Sequence, residues 1–293
     1  MKKFAQAPVH VSGKFQVKYL VWLVVILLII IIVFMNQLLV RQIVYPRPPV
    51  GVPSPPPDPL QEITFQLSDG IKIIGWLDFR ASDKPIVVFF HGNGENLQTV
   101  YSAGTFEQFR ATGANLLVID YPGYGRSGGK PAEGSVLESG AAALKWIKRE
   151  YPDLPVIVCG WSLGAAVAIQ TVSSHPSEVD GLIALSAWTS LPDVAHNHFP
   201  GWLVGLVLKE KYNSIAAAKN INCPVLLMHG TRDQIIPAEQ GRQLAASFPV
   251  PPDFIEIPSA DHNSLMAFPE VWQSIRAFID RISDTTRSGK RRF

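Results

Sequence analysis

Ser162 stands in Gly160-Trp161-Ser162-Leu163-Gly164, and a serine flanked by glycines at this spacing is a candidate nucleophile. A serine hydroxyl attacks an acyl carbon only when a base takes its proton and an acid orients the base. Read alone, Ser162 serves equally well as the N-cap of a structural turn. The downstream histidines decide more. His262 lies in the polar loop Pro258-Ser259-Ala260-Asp261-His262-Asn263, between an expected strand at 254–257 and a final helix, and is the candidate base. His229 ends an expected strand and reads as structural, and His175, before Pro176, reads as a surface cap. His196 and His198 fall in an expected lid and make only a weak metal pair at i, i+2. The candidate acid is Asp233, in Gly230-Thr231-Arg232-Asp233-Gln234-Ile235-Ile236-Pro237. Asp261 is its rival, but neighbouring side chains usually diverge, so it is the poorer orienter of His262. An oxyanion needs two backbone donors. Leu163, after the nucleophile, offers one. The other is expected in His91-Gly92-Asn93-Gly94-Glu95-Asn96, from Asn93 first and Gly94 next, because Gly92 and Gly94 free the backbone there. His91 precedes Ser162 and reads as a brace for that loop.

Elements must hold these residues together. Residues 62–67 alternate in polarity, Asp69-Gly70 turns, and residues 71–77 return, which is a hairpin pattern. Fully apolar runs follow at 86–90, 114–119, 156–159, 182–185 and 225–228. Runs of that length fit strands covered on both faces of a parallel sheet. Helical patterns separate them, at 97–111, 133–149, 165–174 and 238–248, and a last helix is expected over 269–282. The alternation predicts an α/β fold with a mostly parallel central sheet and helices on both faces. Active residues in such sheets sit in the loops after the strands, where Asn93, Ser162, Asp233 and His262 fall. Residues 187–218 would form a short lid whose Phe199, Trp202, Leu203, Leu206, Val207 and Leu208 suit an acyl pocket, a membrane surface or plain packing.

The chain has 293 residues, 47 % hydrophobic and 17 % charged, with a formal net charge of +2, so nothing points to a nucleic-acid partner. The low charge owes much to residues 19–40. Tyr19 to Met35 is unbroken apolar sequence, and Leu38, Leu39 and Val40 extend it. About 20 apolar residues cross a bilayer core, so 19–40 is expected to be a transmembrane helix. No small-residue cleavage site follows it, which argues for an uncleaved anchor over a signal peptide. Lys2, Lys3, Lys14 and Lys18 outnumber Arg41 and Arg47, which puts residues 1–18 in the cytoplasm and the catalytic domain outside or in the periplasm. Residues 41–59, rich in proline, read as a stiff spacer or a surface strap, residues 60–283 as the catalytic domain, and residues 284–293 as a disordered basic tail. Cys159 and Cys223 read as buried thiols.

The motifs HGNGEN (91–96), DYPGYGRSGG (120–129), GWSLG (160–164), HGTRDQIIP (229–237) and ADHN (260–263) together resemble the α/β-hydrolase superfamily over residues 60–282. Within it the chain is similar to the membrane-anchored Bem46/ABHD13-like branch, which resembles serine aminopeptidase-like hydrolases. The resemblance places the nucleophile on Ser162, the acid on Asp233 and the base on His262. It implies acyl transfer to water with a small-molecule or lipid acyl substrate, and no metal or organic cofactor. A serine nucleophile disfavours the epoxide hydrolase and dehalogenase branches. Carboxylic esters are the expected substrates. Thioester or peptide cleavage, and a non-catalytic tethered binding domain, are the alternatives.

Overall fold

The computed structural model describes residue 19, residues 22–27, residues 40–48 and residues 54–290. The chain divides into two compact units, Met1–Ile43 and Val44–Phe293. In the first, the described residues are helical. The expected span at 19–40 lies mostly outside the described residues, and among those described no helix is long and apolar enough to cross a membrane.

The second unit is built on one eight-stranded sheet of order β1-β2-β4-β3-β5-β6-β7-β8. Its strands are β1 (Gln61–Gln66), β2 (Lys72–Asp78), β3 (Ile86–Phe90), β4 (Asn115–Ile119), β5 (Val156–Trp161), β6 (Gly181–Leu185), β7 (Val225–Gly230) and β8 (Asp253–Ile257). The hairpin β1–β2 and the β2–β4 pair are antiparallel, and every later pair is parallel. This is the mostly parallel sheet that the sequence leads one to expect.

The apolar runs form strands because alternate residues feed two separate cores. Val88, Phe90, Val158 and Ala184 point to one face, where α3 (Glu133–Glu150) and α4 (Leu163–Ser174) cover them. Val87, Phe89, Ile157, Cys159 and Ile183 point to the other, under α1 (Leu97–Ser102), α2 (Thr105–Ala111) and α9 (Pro269–Lys290). Between β6 and β7 lie three short helices, α5 (Leu191–His196), α6 (Gly201–Val207) and α7 (Ser214–Ala218), and α8 (Ala238–Ala245) follows β7.

Three expectations change. The single helix expected over 97–111 is two, because Gly104 adopts φ 79°, a left-handed turn from which α2 restarts. The stretch 41–59 is not all spacer, since the compact unit begins at Val44 and Tyr45 is buried in its core. Tyr45 hydrogen-bonds through its hydroxyl to that of Tyr212 at 2.9 Å, an anchor that proline content does not advertise. Residues 284–290, expected as disordered tail, continue α9, where adding turns to an existing helix costs far less than starting one. Cys159 and Cys223 are free thiols.

Candidate active site

The parallel register β3–β5–β6–β7–β8 brings the loops after β3, β5, β7 and β8 to one edge of the sheet. Ser162 lies between β5 and α4 with φ 55° and ψ −116°, a conformation that costs on the order of 1–3 kcal/mol and holds the side chain at the tip of a sharp turn. Its own amide is anchored on the Leu185 carbonyl at 2.9 Å, at the end of β6. The turn closes only because both glycines lack a Cβ. A Cβ on Gly160 would lie 2.0 Å from the Gly164 carbonyl oxygen, and one on Gly164 1.9 Å from that of Phe90.

Ser162, Asp233 and His262 meet although 100 and 29 residues separate the bonded pairs. Ser162 Oγ lies 2.9 Å from His262 Nε2, and His262 Nδ1 lies 2.7 Å from Asp233 Oδ2. Each is only 6 % exposed, so water competes little for these bonds. The Asp233 loop is built around the carboxylate. Oδ1 accepts the Ile235 and Ile236 amides at 2.9 and 2.8 Å, and Oδ2 also faces His229 Nε2 at 3.4 Å. Burial alone would raise this carboxyl, but the His229, His262 and Ile236 hydrogen bonds outweigh it and hold it well below the usual carboxylate range. An ionised Asp233 is acceptor-only, so Nδ1 of His262 carries the proton and Nε2 is free to accept from Ser162 Oγ–H. That arrangement can move the serine proton to the imidazole and stabilise the charge that results.

The rival Asp261 turns elsewhere, accepting the Asn263 and Ser264 amides at 3.0 and 2.8 Å and bracing the histidine loop. His175 Nδ1 lies 3.1 Å from the Thr171 carbonyl in the last turn of α4, and His198 Nε2 3.1 Å from the Ile235 carbonyl. Among the described residues no cluster of His, Cys, Asp or Glu is placed to hold a metal.

Leu163 opens α4, so its amide is one of the helix's N-terminal donors. Asn93 is exposed in the loop after β3, which Phe90–Gly160 pairing sets beside the Ser162 turn. Its side chain is tied on both sides, with Nδ2 donating to the Val44 carbonyl at 2.7 Å and Oδ1 accepting from Tyr124 at 3.3 Å. His91 is fully buried, and burial pushes its ring down to about 4, so it stays neutral under the loop. Its Nδ1 meets the Gly92 carbonyl at 2.8 Å, while Tyr121 donates to the His91 carbonyl at 2.8 Å.

Three neighbours of the site, Trp161, Val44 and Glu95, went unread in the sequence, and His229, read as structural, has a definite place. His229 stands four residues before Asp233 at the end of β7 with Nε2 2.8 Å from the Ile236 carbonyl, and it shapes the acid loop from behind. This is the structural role expected of it. Trp161 lies against His262, with ring centroids 5.5 Å apart, and Gly92 makes room for its indole. Val44 reaches Asn93 from a segment read as a spacer or a surface strap. Glu95 Oε2 accepts the Gly92 amide at 2.7 Å and sets the loop's turn.

Burial pushes the Glu95 carboxyl up to about 7, against the opposing Gly92 hydrogen bond. An acid with a raised folded value retains a proton that the unfolded chain releases. Its contribution to stability is therefore complete below the unfolded value near 4.5 and is lost as pH rises towards about 7. Glu95→Gln keeps an acceptor for Gly92 and removes the titration. It is expected to flatten part of the fall in Tm between about pH 5 and about pH 8. Asp120, also raised to about 7 by burial, contributes in the same direction. Equal Tm slopes in both proteins would refute this.

Residues 85–216 match the family model for the alpha/beta hydrolase fold. The chain is 28 % identical over 207 residues to an uncharacterized protein of Mycobacterium tuberculosis, covering 69 % of this chain and 72 % of that one. It is 28 % identical to the lysophosphatidylserine lipase ABHD12 of Rattus norvegicus over 183 residues, 57 % of this chain and 46 % of the relative. Among solved structures, the Pyrococcus furiosus esterase Pf2001 superposes with a TM-score of 0.66 at 25 % identity, over 80 % of this chain and 98 % of the esterase.

Proposed function

We propose that this chain, which belongs to the α/β-hydrolase superfamily, cleaves acyl bonds as a serine hydrolase with Ser162 as nucleophile, His262 as base and Asp233 as orienting acid. The observation that carries the reading is the continuous chain Ser162 Oγ–His262–Asp233 at 2.9 and 2.7 Å on a strained strand-to-helix turn. His262 takes the Ser162 proton as Oγ adds to the substrate carbonyl. The Asn93 and Leu163 amides stabilise the oxyanion, and His262 then returns the proton to the leaving group. Water repeats the sequence on the acyl-enzyme and releases the acid. The charge that develops on His262 faces Asp233, whose carboxylate is already ionised.

Similarity to an esterase and to a lysophosphatidylserine lipase favours a carboxylic ester of a small molecule or lipid as substrate. Thioester and peptide cleavage use the same groups and are the second reading. We further propose that residues 19–40 anchor the protein, with residues 1–18 cytoplasmic and the catalytic unit outside or periplasmic. The apolar length and the lysine bias of the sequence support this. The catalytic region then runs from Val44 to about residue 283, with residues 187–218 as its lid.

A fluorophosphonate probe incubated with the full-length protein in detergent should label one residue, and peptide mass spectrometry should place the adduct on Ser162. A panel of acyl esters, thioesters and aminoacyl amides then ranks the substrate classes. Folded protein that takes no label would favour the non-catalytic binding domain.

A further inference from the structure

Helix α6 has two unlike sides. Val204 is buried and packs inward, whereas Trp202 and Leu206, one turn apart, are each 74 % exposed. Phe199, just before the helix, and Ile235, in the acid loop, are also open to solvent. The His198 Nε2 contact with the Ile235 carbonyl at 3.1 Å ties the lid to that loop, so the lid side chains and Ile235, which stands two residues from Asp233, belong to adjoining segments. A single exposed apolar residue is ordinary, but a row that includes an indole marks a contact surface. Lys209 and Lys211, both exposed, follow the helix directly.

The chain's point of entry says what the surface meets. The catalytic unit begins at Val44, whose carbonyl accepts from Asn93, and Tyr45 is pinned to Tyr212 near the end of the lid. The Leu191 amide, at the start of α5, bonds to the Lys211 carbonyl at 2.8 Å, so the entry point borders the place where the two ends of the lid meet. A membrane span ending at residue 40 is followed by only three residues, 41–43, before the catalytic unit begins, and these are helical. Indole rings favour the boundary between headgroups and acyl chains, and basic side chains favour anionic lipid.

We propose that the Phe199–Trp202–Leu206–Ile235 surface docks on an anionic phospholipid bilayer and that this contact delivers membrane-borne acyl esters to Ser162. The proposal rests on the anchoring by residues 19–40. It commits the lid to the same bilayer, with the mouth of the site at the lipid surface.

The test uses full-length protein in phosphatidylcholine vesicles containing a minority of phosphatidylglycerol, with acyl chains brominated near the headgroup. Bromine quenches only indoles at that depth. Trp22, inside the proposed span, reports anchoring, and the loss of quenching in Trp202→Phe isolates the lid. The expected result is quenching in the wild type that falls measurably in Trp202→Phe. The double variant Trp202→Ser/Leu206→Ser should hydrolyse a vesicle-borne long-chain ester about tenfold more slowly and leave a water-soluble short ester within about twofold. Undiminished quenching in Trp202→Phe would overturn the proposal while leaving the anchor standing. Absence of quenching in both proteins would overturn the two together. Equal losses on both esters would make the surface an acyl pocket, and a concentration-dependent dimer abolished by the double variant would make it a self-contact. Either result overturns the bilayer assignment. Quenching does not depend on chemistry, so it stands apart from the assignment of Ser162.

Discussion

Ser162→Ala is expected to lower kcat for ester hydrolysis by about 10⁶-fold, or about 8 kcal/mol of transition-state stabilisation, without loss of the fold. The substitution removes one oxygen at a position whose backbone is fixed by the Leu185 carbonyl and by the Ala165 and Ala166 amides. His262→Ala should cost nearly as much, and the double variant little more than either, because nucleophile and base act as a unit. Asp233→Asn tests the geometry more closely. Two amides grip Oδ1, so the asparagine oxygen must take that place and its NH2 must face His262. The imidazole then accepts at Nδ1, carries its proton on Nε2 and cannot take one from Ser162. A fall of about 10⁴-fold with an unchanged fold is expected. Protonation of Asp233 itself should not mimic this variant near neutral pH. The Asp233 carboxyl is held below its unfolded value, so its stabilising contribution is complete above the ordinary carboxylate range and is lost only as pH falls through that range and below. The measurement is steady-state hydrolysis of a p-nitrophenyl ester beside a thermal melt. A Ser162→Ala protein within tenfold of wild type would refute the assignment.

The sheet was legible because its strands are covered on both faces. Val87 and Val88 serve opposite cores, so neither face of β3 tolerates a polar residue and the run is unmistakable. The site was legible for a related reason. Residues at strand ends on one edge of a parallel sheet converge whatever their separation along the chain, so Ser162, Asp233 and His262 can be placed by topology. Contacts without periodicity were not legible. Nothing in a proline-rich stretch announces that Tyr45 will insert beside Tyr212, or that Val44 will hold Asn93. Gly104 breaks a helical pattern whose polarity continues across it, and only the backbone angle records the break. Glu95 looks like any loop carboxylate until its burial under Gly92 is known.

Gly164→Ala carries the largest expected effect on stability. The glycines of GWSLG are readable from sequence as permissive residues in a turn, but the structure makes Gly164 a contact point between two backbones. An added Cβ would sit 1.9 Å from the Phe90 carbonyl oxygen and 2.7 Å from that of His91, and main chain cannot rotate away as a side-chain tip can. The clash would part α4 from the end of β3. Overpacking typically costs roughly 1–3 kcal/mol, and a backbone-to-backbone clash belongs at or above that upper figure. At about 2–4 °C per kcal/mol for a unit of this size, Tm should fall by about 6–12 °C or more. Activity should fall as well, because the displaced carbonyls begin the loop that carries Asn93. Gly134→Ala is the control. It lies in α3 with nothing within 4 Å of the added methyl, and alanine is the better helix former, so its Tm should hold or rise. If Gly164→Ala kept its Tm within about 2 °C of wild type with full activity, the close approach of β3 and α4 would not be what builds the Ser162 turn.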